Sequence, residues 1–214
     1  MITRYYPVVR ARFPGRRRTM RTSLRRFEES DLPSLERWRA EIDSDRYMER
    51  LSPVSFDSSG FEGWGLDYVW YAIEVDGSTV GGIWFDIKRN DRSIGVMGIV
   101  IGRAESLGRG IGRRAIAKAI PAARRILGFD TVRLHVRRTN PRAISCYLGC
   151  GFVVTGEGSK LLEDRGKVPF YRMELYLESA IPVISAPEGL PALRTAGAGP
   201  VRHPGGALGQ RRTG

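Results

Sequence analysis

The sequence predicts a single α/β domain built on a mixed sheet with helices on its faces. Three observations carry this. Short apolar and β-branched runs alternate with helical stretches between residues 20 and 180. The dipeptide Asp76-Gly77 joins two such runs as a tight hairpin, which makes those strands antiparallel. Helix punctuation stands at Ser30-Asp31-Leu32-Pro33, at Gly128 and at Asn140-Pro141.

Taken in order, Thr22–Arg26 is a short first strand. A capping residue at Ser30 or Asp31, with proline in the first turn, opens a helix to about Ala40. Residues 41–66 mix polar, glycine and aromatic residues and predict one more short helix and a loop. Val69–Val75, Thr79–Lys88 and Ser93–Ile101 form an antiparallel run, turned at Asp76-Gly77 and at Arg89-Asn90-Asp91. A helix over residues 110–127 lines up Ile116, Ile120, Ala123 and Leu127 on one stripe. Pro121 inside it predicts a kink, at about 3 kcal/mol without compensation. Thr131–Arg137 is a strand, Asn140-Pro141 starts a helix to about Leu148, and Phe152–Glu157 and Pro169–Leu177 are two more strands. No internal repeat is found.

The 214 residues suffice for one sizeable core, and 42% of them are hydrophobic. No apolar run reaches the roughly 18 residues that span a membrane. The basic N-terminus lacks a signal-peptide core, so a cytoplasmic protein is expected. Cys146 and Cys150 have no histidine near them among the two in the chain, His135 and His203. Idle thiols are therefore expected, and no metal. The net charge of +12 divides into +6 on residues 1–19, +3 on residues 181–214 and +3 between them. Residues 1–19 are expected to be a flexible basic arm, residues 20–180 the domain, and residues 181–214 a disordered Pro/Gly/Ala/Arg-rich tail. Charge placed in flanks argues against nucleic acid as a partner, except weakly through those tails.

Two segments carry chemistry. In the first, the strand ending Ile99-Val100-Ile101 runs into Leu107-Gly108-Arg109-Gly110-Ile111-Gly112-Arg113 at a helix start. Glycines let a backbone approach a ligand and take positive φ. A helix start offers free N–H groups and a positive dipole end. Two readings stand: a tight turn, or an anion site suited to a pyrophosphate flanked by Arg109, Arg113 and Arg114. No Lys-Ser or Lys-Thr follows, which excludes a Walker loop. The loop comes after antiparallel hairpins, which argues against a dinucleotide-binding fingerprint.

The second segment is Leu134–Phe152, reading LHVRRTNPRAISCYLGCGF. In order and spacing the two segments together resemble the GNAT superfamily of N-acetyltransferases, over about residues 20–180. The look is closest to the ribosomal-protein and aminoglycoside-type members. The resemblance implies a sheet of 6–7 strands, mostly antiparallel, with a splayed central pair and helices on both faces. It implies acetyl-CoA as co-substrate and a primary amine as acceptor, either a protein N-terminus or a small molecule such as an aminoglycoside. Transfer is then by direct attack, in a monomer or homodimer with no membrane partner.

Under that resemblance Ile99, Val100 and Ile101 present backbone groups to the pantetheine arm, as an added strand would pair. Residues Leu107–Gly112 hold the pyrophosphate. The family pattern has Arg or Gln where this chain has Leu107, so recognition there falls to backbone amides and arginines. Asn140 is a helix cap, a pantetheine neighbour, or both. Tyr147 is the candidate acid: a phenol with pKa of about 10 can hydrogen-bond or protonate the departing thiolate. For the base, Glu105, Asp86 and Glu74 are candidates, each also explicable as a solvated or paired carboxylate. Glu163 and Asp164 are candidates for attracting a cationic amine. Trp64, Trp70, Tyr71 and Trp84 line an acceptor cleft or pack the core. A competing reading is a CoA-binding regulatory module without turnover.

Overall fold

The computed structural model describes residues 20–42, 46–88, 90–162 and 166–177. The two flanks, Arg89 and the Glu163–Asp164 pair lie outside these residues. Seven strands form one sheet in the order β1-β2-β3-β4-β5-β7-β6. They are β1 (Thr22–Arg26), β2 (Tyr68–Val75), β3 (Ser78–Lys88), β4 (Asp91–Ile101), β5 (Thr131–Arg137), β6 (Val153–Leu162) and β7 (Gly166–Tyr176). The helices are α1 (Leu32–Glu41), α2 (Phe56–Ser59), α3 (Ile111–Leu127) and α4 (Pro141–Leu148). Every neighbouring pair is antiparallel except β4–β5, which is parallel.

The β2–β3 hairpin turns at Asp76 (φ +49°) and Gly77 (φ +84°). Two successive positive φ values define the turn whose twist matches paired strands. On one sheet face, α3 and α4 cover a core of Val69, Ile83, Phe85, Met97, Ile116 and Phe152. On the other, α1 and the α2 region cover Phe27, Trp38, Tyr68, Trp70, Trp84 and Val100. Phe27 and Trp70 stack there with ring centroids 3.7 Å apart. Helices thus lie on both faces, as alternating side-chain directions along each strand require.

Three details differ from the sequence-based expectation, and a fourth decides between two alternatives that it left open. Asp31 does not cap α1 with its side chain. A 3-10 turn at Glu29–Asp31 precedes the helix. The Asp31 carboxylate turns back to accept from the Glu28 N–H at 2.9 Å and from both Arg25 terminal nitrogens, at 2.6 and 2.7 Å. Helix α3 runs on through Pro121, which sits on its exposed face. The ring removes one N–H there, and the Ala117 carbonyl it leaves without its usual partner belongs to an exposed residue. Strands β6 and β7 form a hairpin longer than the apolar pattern suggests. Gly158 interrupts that pattern, and a Cβ there would stand 2.6 Å from the Phe170 ring. Finally, Trp70, Tyr71 and Trp84 are core residues, each under a tenth exposed.

Candidate active site

The site begins with a failure of pairing. Strand β4 keeps register with β3 from Gly95 to Ile101. With β5 it pairs only over Ile94–Val96, against Thr131–Arg133. Beyond that the strands part, and β5 turns its other edge to β7 over its whole length. The β5-facing edge of Met97–Ile101 is left with backbone groups that no neighbouring strand satisfies. A cleft of about 480 Å³ opens there. It is walled by Met97–Ile101, by His135 and Val136 of β5, by the glycine loop and by α4 from Asn140 to Tyr147.

The glycine loop closes one end. After β4, Gly102 donates to the Val80 carbonyl at 2.8 Å, and a short 3-10 turn covers Ala104–Ser106. Gly108 and Gly110 then take φ of +73° and +72°, a region costly for residues with a Cβ. Gly110 is the N-cap of α3 and no side chain caps that end. The first-turn N–H groups therefore face the cleft without a protein acceptor among the described residues. Arg113 and Arg114 occupy this first turn, where the helix dipole favours anions and not cations. The arrangement suits a bound anion.

Leu107, Gly108, Gly110, Ile111, Gly112 and Arg113 all line the cleft, with Ile99, Val100 and Ile101 beside them. Arg109 does not: it is exposed, with its guanidinium 3.8 Å from Met20 Sδ. Arg114 turns to Thr22 Oγ1 at 2.9 Å. Asn140 lines the cleft and also caps α4, accepting from the Ala143 N–H at 3.1 Å.

Tyr147 lines the cleft from α4, with its ring 5.9 Å from Phe152. Burial pushes its phenol well above the usual value, and the neighbouring thiols Cys146 and Cys150 add to this. It is protonated at neutral pH. Burial likewise raises the Cys146 thiol, while Arg113 partly opposes the rise.

The carboxylates named from sequence lie elsewhere. Glu105 is exposed, pairs with Arg103 at 3.7 Å and is not among the cleft-lining residues. Asp86 is buried and accepts from the Val54 and Ser55 N–H groups at 3.0 and 2.9 Å. Burial raises its pKa, and those two N–H donors lower it in part. Glu74 holds Arg25 at 2.9 Å. Trp64 donates to the Trp70 carbonyl and carries the Arg26 guanidinium over its ring.

Sequence reasoning passed over His135, Tyr47 and Met48, which all line the cleft. The segment holding Tyr47 and Met48 has no periodicity to betray it. It is anchored by Arg137, a buried arginine that donates to the Arg46 carbonyl at 2.7 Å. His135 had a readable signal: it points away from the Val132-Leu134-Val136 core face of β5. Among the described residues no cluster of His, Cys, Asp and Glu could hold a metal ion, and no helix is long and apolar enough to cross a membrane.

Comparison with known proteins agrees with this architecture. A spermidine N-acetyltransferase chimera from Vibrio cholerae and hSSAT matches with a TM-score of 0.60 at 22% identity, over 72% of this chain and 95% of that one. An acetyltransferase of the GNAT family from Streptococcus pneumoniae matches at 0.59 and 18%, over 74% and 100%. An aminoglycoside acetyltransferase in complex with coenzyme A and kanamycin matches at 0.57 and 17%, over 73% and 95%. Identities this low speak for the fold alone. Among curated protein sequences none matches. The sequence model of the acetyltransferase (GNAT) family matches residues 32–152, more than half of the chain, and the protein belongs to that family.

Proposed function

We propose that this protein transfers an acetyl group from acetyl-CoA to a primary amine by direct attack. The unpaired β4 edge at Met97–Ile101, opening beside an uncapped helix start, carries the reading. An extended amide-bearing arm can pair with such an edge as an added strand would. The α3 start and Arg113 suit its phosphates. Similar folds crystallised with coenzyme A and an amine support the same pairing of substrates.

In this reading a backbone N–H of Ile99–Ile101 donates to the oxyanion of the tetrahedral intermediate. Tyr147, protonated and half-buried, donates a hydrogen bond to the sulfur as the C–S bond breaks. Its phenol is pushed above the range of a thiol, about 8.5, so it stabilises the thiolate more by hydrogen bonding than by complete transfer. His135 lines the cleft from β5 and takes the proton released by the attacking amine, directly or through water.

Acetyl-CoA at millimolar concentration should raise the melting temperature, and an amine panel should then identify the acceptor. No shift would sink the reading. Tyr147→Phe should lower kcat by about 10²-fold or more while leaving the acetyl-CoA shift intact. Undiminished transfer would remove Tyr147 from the mechanism. A shift without turnover on any amine would favour a CoA-binding regulatory module instead.

A further inference from the structure

Gly149, the residue that ends α4, has an unexplained identity. Its backbone sits at φ −69°, ψ −7°, an ordinary right-handed helical position open to any residue. The turn therefore does not require glycine. The obstacle is a side chain: a Cβ at 149 would stand 2.5, 2.6 and 2.9 Å from Nη2, Cζ and Nε of Arg113. These three guanidinium atoms occupy the space that a side chain at 149 would fill.

Arg113 has two other tethers, the Cys146 thiol and a backbone carbonyl. Its Nη2 donates to the Ser145 carbonyl at 3.2 Å, the same carbonyl that accepts from the Gly149 N–H at 3.1 Å. This carbonyl belongs to the last turn of α4, where the helix dipole favours a cation. The guanidinium is thus parked at the C-terminal end of one helix while its backbone belongs to the N-terminal turn of another. Arg113 lines the cleft beside Gly110 and Gly112, and with Gly149 and Cys150 it also borders a second hollow. Leu107, at the other side of that loop, has no charge to offer.

We propose that Gly149 is a positioning residue for cofactor recognition: its missing side chain fixes the Arg113 guanidinium against the phosphates of acetyl-CoA, supplying the side-chain cation that Leu107 lacks. The inference rests on the acetyl-CoA reading above. The recognised group is a phosphate ester or anhydride, either the pyrophosphate or the 3′-phosphate.

The test uses the full chain. Alanine suits helical backbone better than glycine, so Gly149→Ala should fold at least as stably as the parent. The far end of a flexible arginine is what must yield. Gly149→Ala should raise the KM for acetyl-CoA about tenfold, the worth of one charge-assisted contact, with kcat retained. Arg113→Ala should do the same, and the double variant should be no worse than Arg113→Ala alone. Repeating the series with 3′-dephospho-acetyl-CoA separates the two phosphates. A penalty that vanishes assigns the 3′-phosphate, and one that persists assigns the pyrophosphate. If Gly149→Ala keeps the parent KM, or if its effect adds in full to that of Arg113→Ala, the proposal is overturned. A parent that acetyl-CoA fails to stabilise overturns the functional reading and this inference together. A parent that is stabilised, beside an unaffected Gly149→Ala, removes this inference alone.

Discussion

Toward β3, strand β4 is paired from Gly95 to Ile101; toward β5 it is paired only over Ile94–Val96. The two edges of one strand belong to differently built regions. On the β3 side, the buried carboxylates are tied to fixed partners. Arg25 spans Asp31 and Glu74, and Asp86 holds the backbone before α2. On the β5 side, the α3 start is uncapped and the strand edge is bare. The lesson is that this site is formed by withholding ordinary pairing at one seam of a well-paired sheet. The closed side supplies rigidity, and the open side supplies unsatisfied donors and acceptors.

This contrast can be broken from either side. The largest effect is expected at the closed side. Asp31→Ala leaves Arg25 without its two-point partner and should cost about 3 kcal/mol in denaturant unfolding, with the KM for acetyl-CoA unchanged. Burial alone would raise the Asp31 pKa, but the Arg25 and Glu28 hydrogen bonds outweigh it and hold the carboxylate below its ordinary value. Its folded pKa is therefore depressed. The stability it contributes is present above about pH 4 and is lost as pH falls through the folded value. Asp86 runs the other way, since burial raises it, so its protonation favours the native state as pH falls. Below about pH 4 the parent should lose stability more steeply than Asp31→Ala, and equal slopes would remove the Arg25–Asp31 network as the cause.

On the open side, His135→Gln should reduce kcat roughly tenfold to a hundredfold, with unfolding unchanged. A kcat equal to the parent's would show that His135 takes no proton. Gly98→Ala tests the strand shared by both regions. A Cβ there would stand 2.2 Å from Cζ2 of Trp84, a ring only 5% exposed and unable to retreat. About 1–2 kcal/mol of destabilisation is expected, together with weaker acetyl-CoA binding as β4 shifts. The smallest effect is expected from Glu105→Gln: an exposed pair with Arg103 is worth less than about 1 kcal/mol, and the parent kcat should remain. A large fall in kcat would restore Glu105 as the base.

Most of the architecture was legible because local signals agreed with global ones. Asp76-Gly77 specified a hairpin, Gly128 closed α3 in a left-handed conformation at φ +80°, and Asn140 capped α4. Where side chains were committed to distant partners, local reading failed. Asp31 looked like a helix cap but serves Arg25 and the Glu28 N–H. By contrast, Trp70 and Trp84 went to the core, the commoner use of such residues. Strand β6 runs past the expected end at Glu157 through Gly158, whose fit beside the Phe170 ring is invisible in sequence. The glycine loop was readable as backbone chemistry. His135 was readable as a residue off the core face of β5, but the Tyr47 and Met48 wall was not, since it meets β5 only when the segment after α1 converges on it.

The parting of β4 from β5 also gives the sheet a third rim. An open sheet has two, here β1 and β6, and exposed rims invite other chains to pair with them. The third lies inside the molecule, flanked by α4 and the glycine loop. A second chain would have to pass α4 and the glycine loop to pair there, whereas a slender arm bearing amides need only lie along the cleft. The rim is thus a template that a protein aggregate cannot use and a slender ligand can, so the geometry that builds the site also guards it.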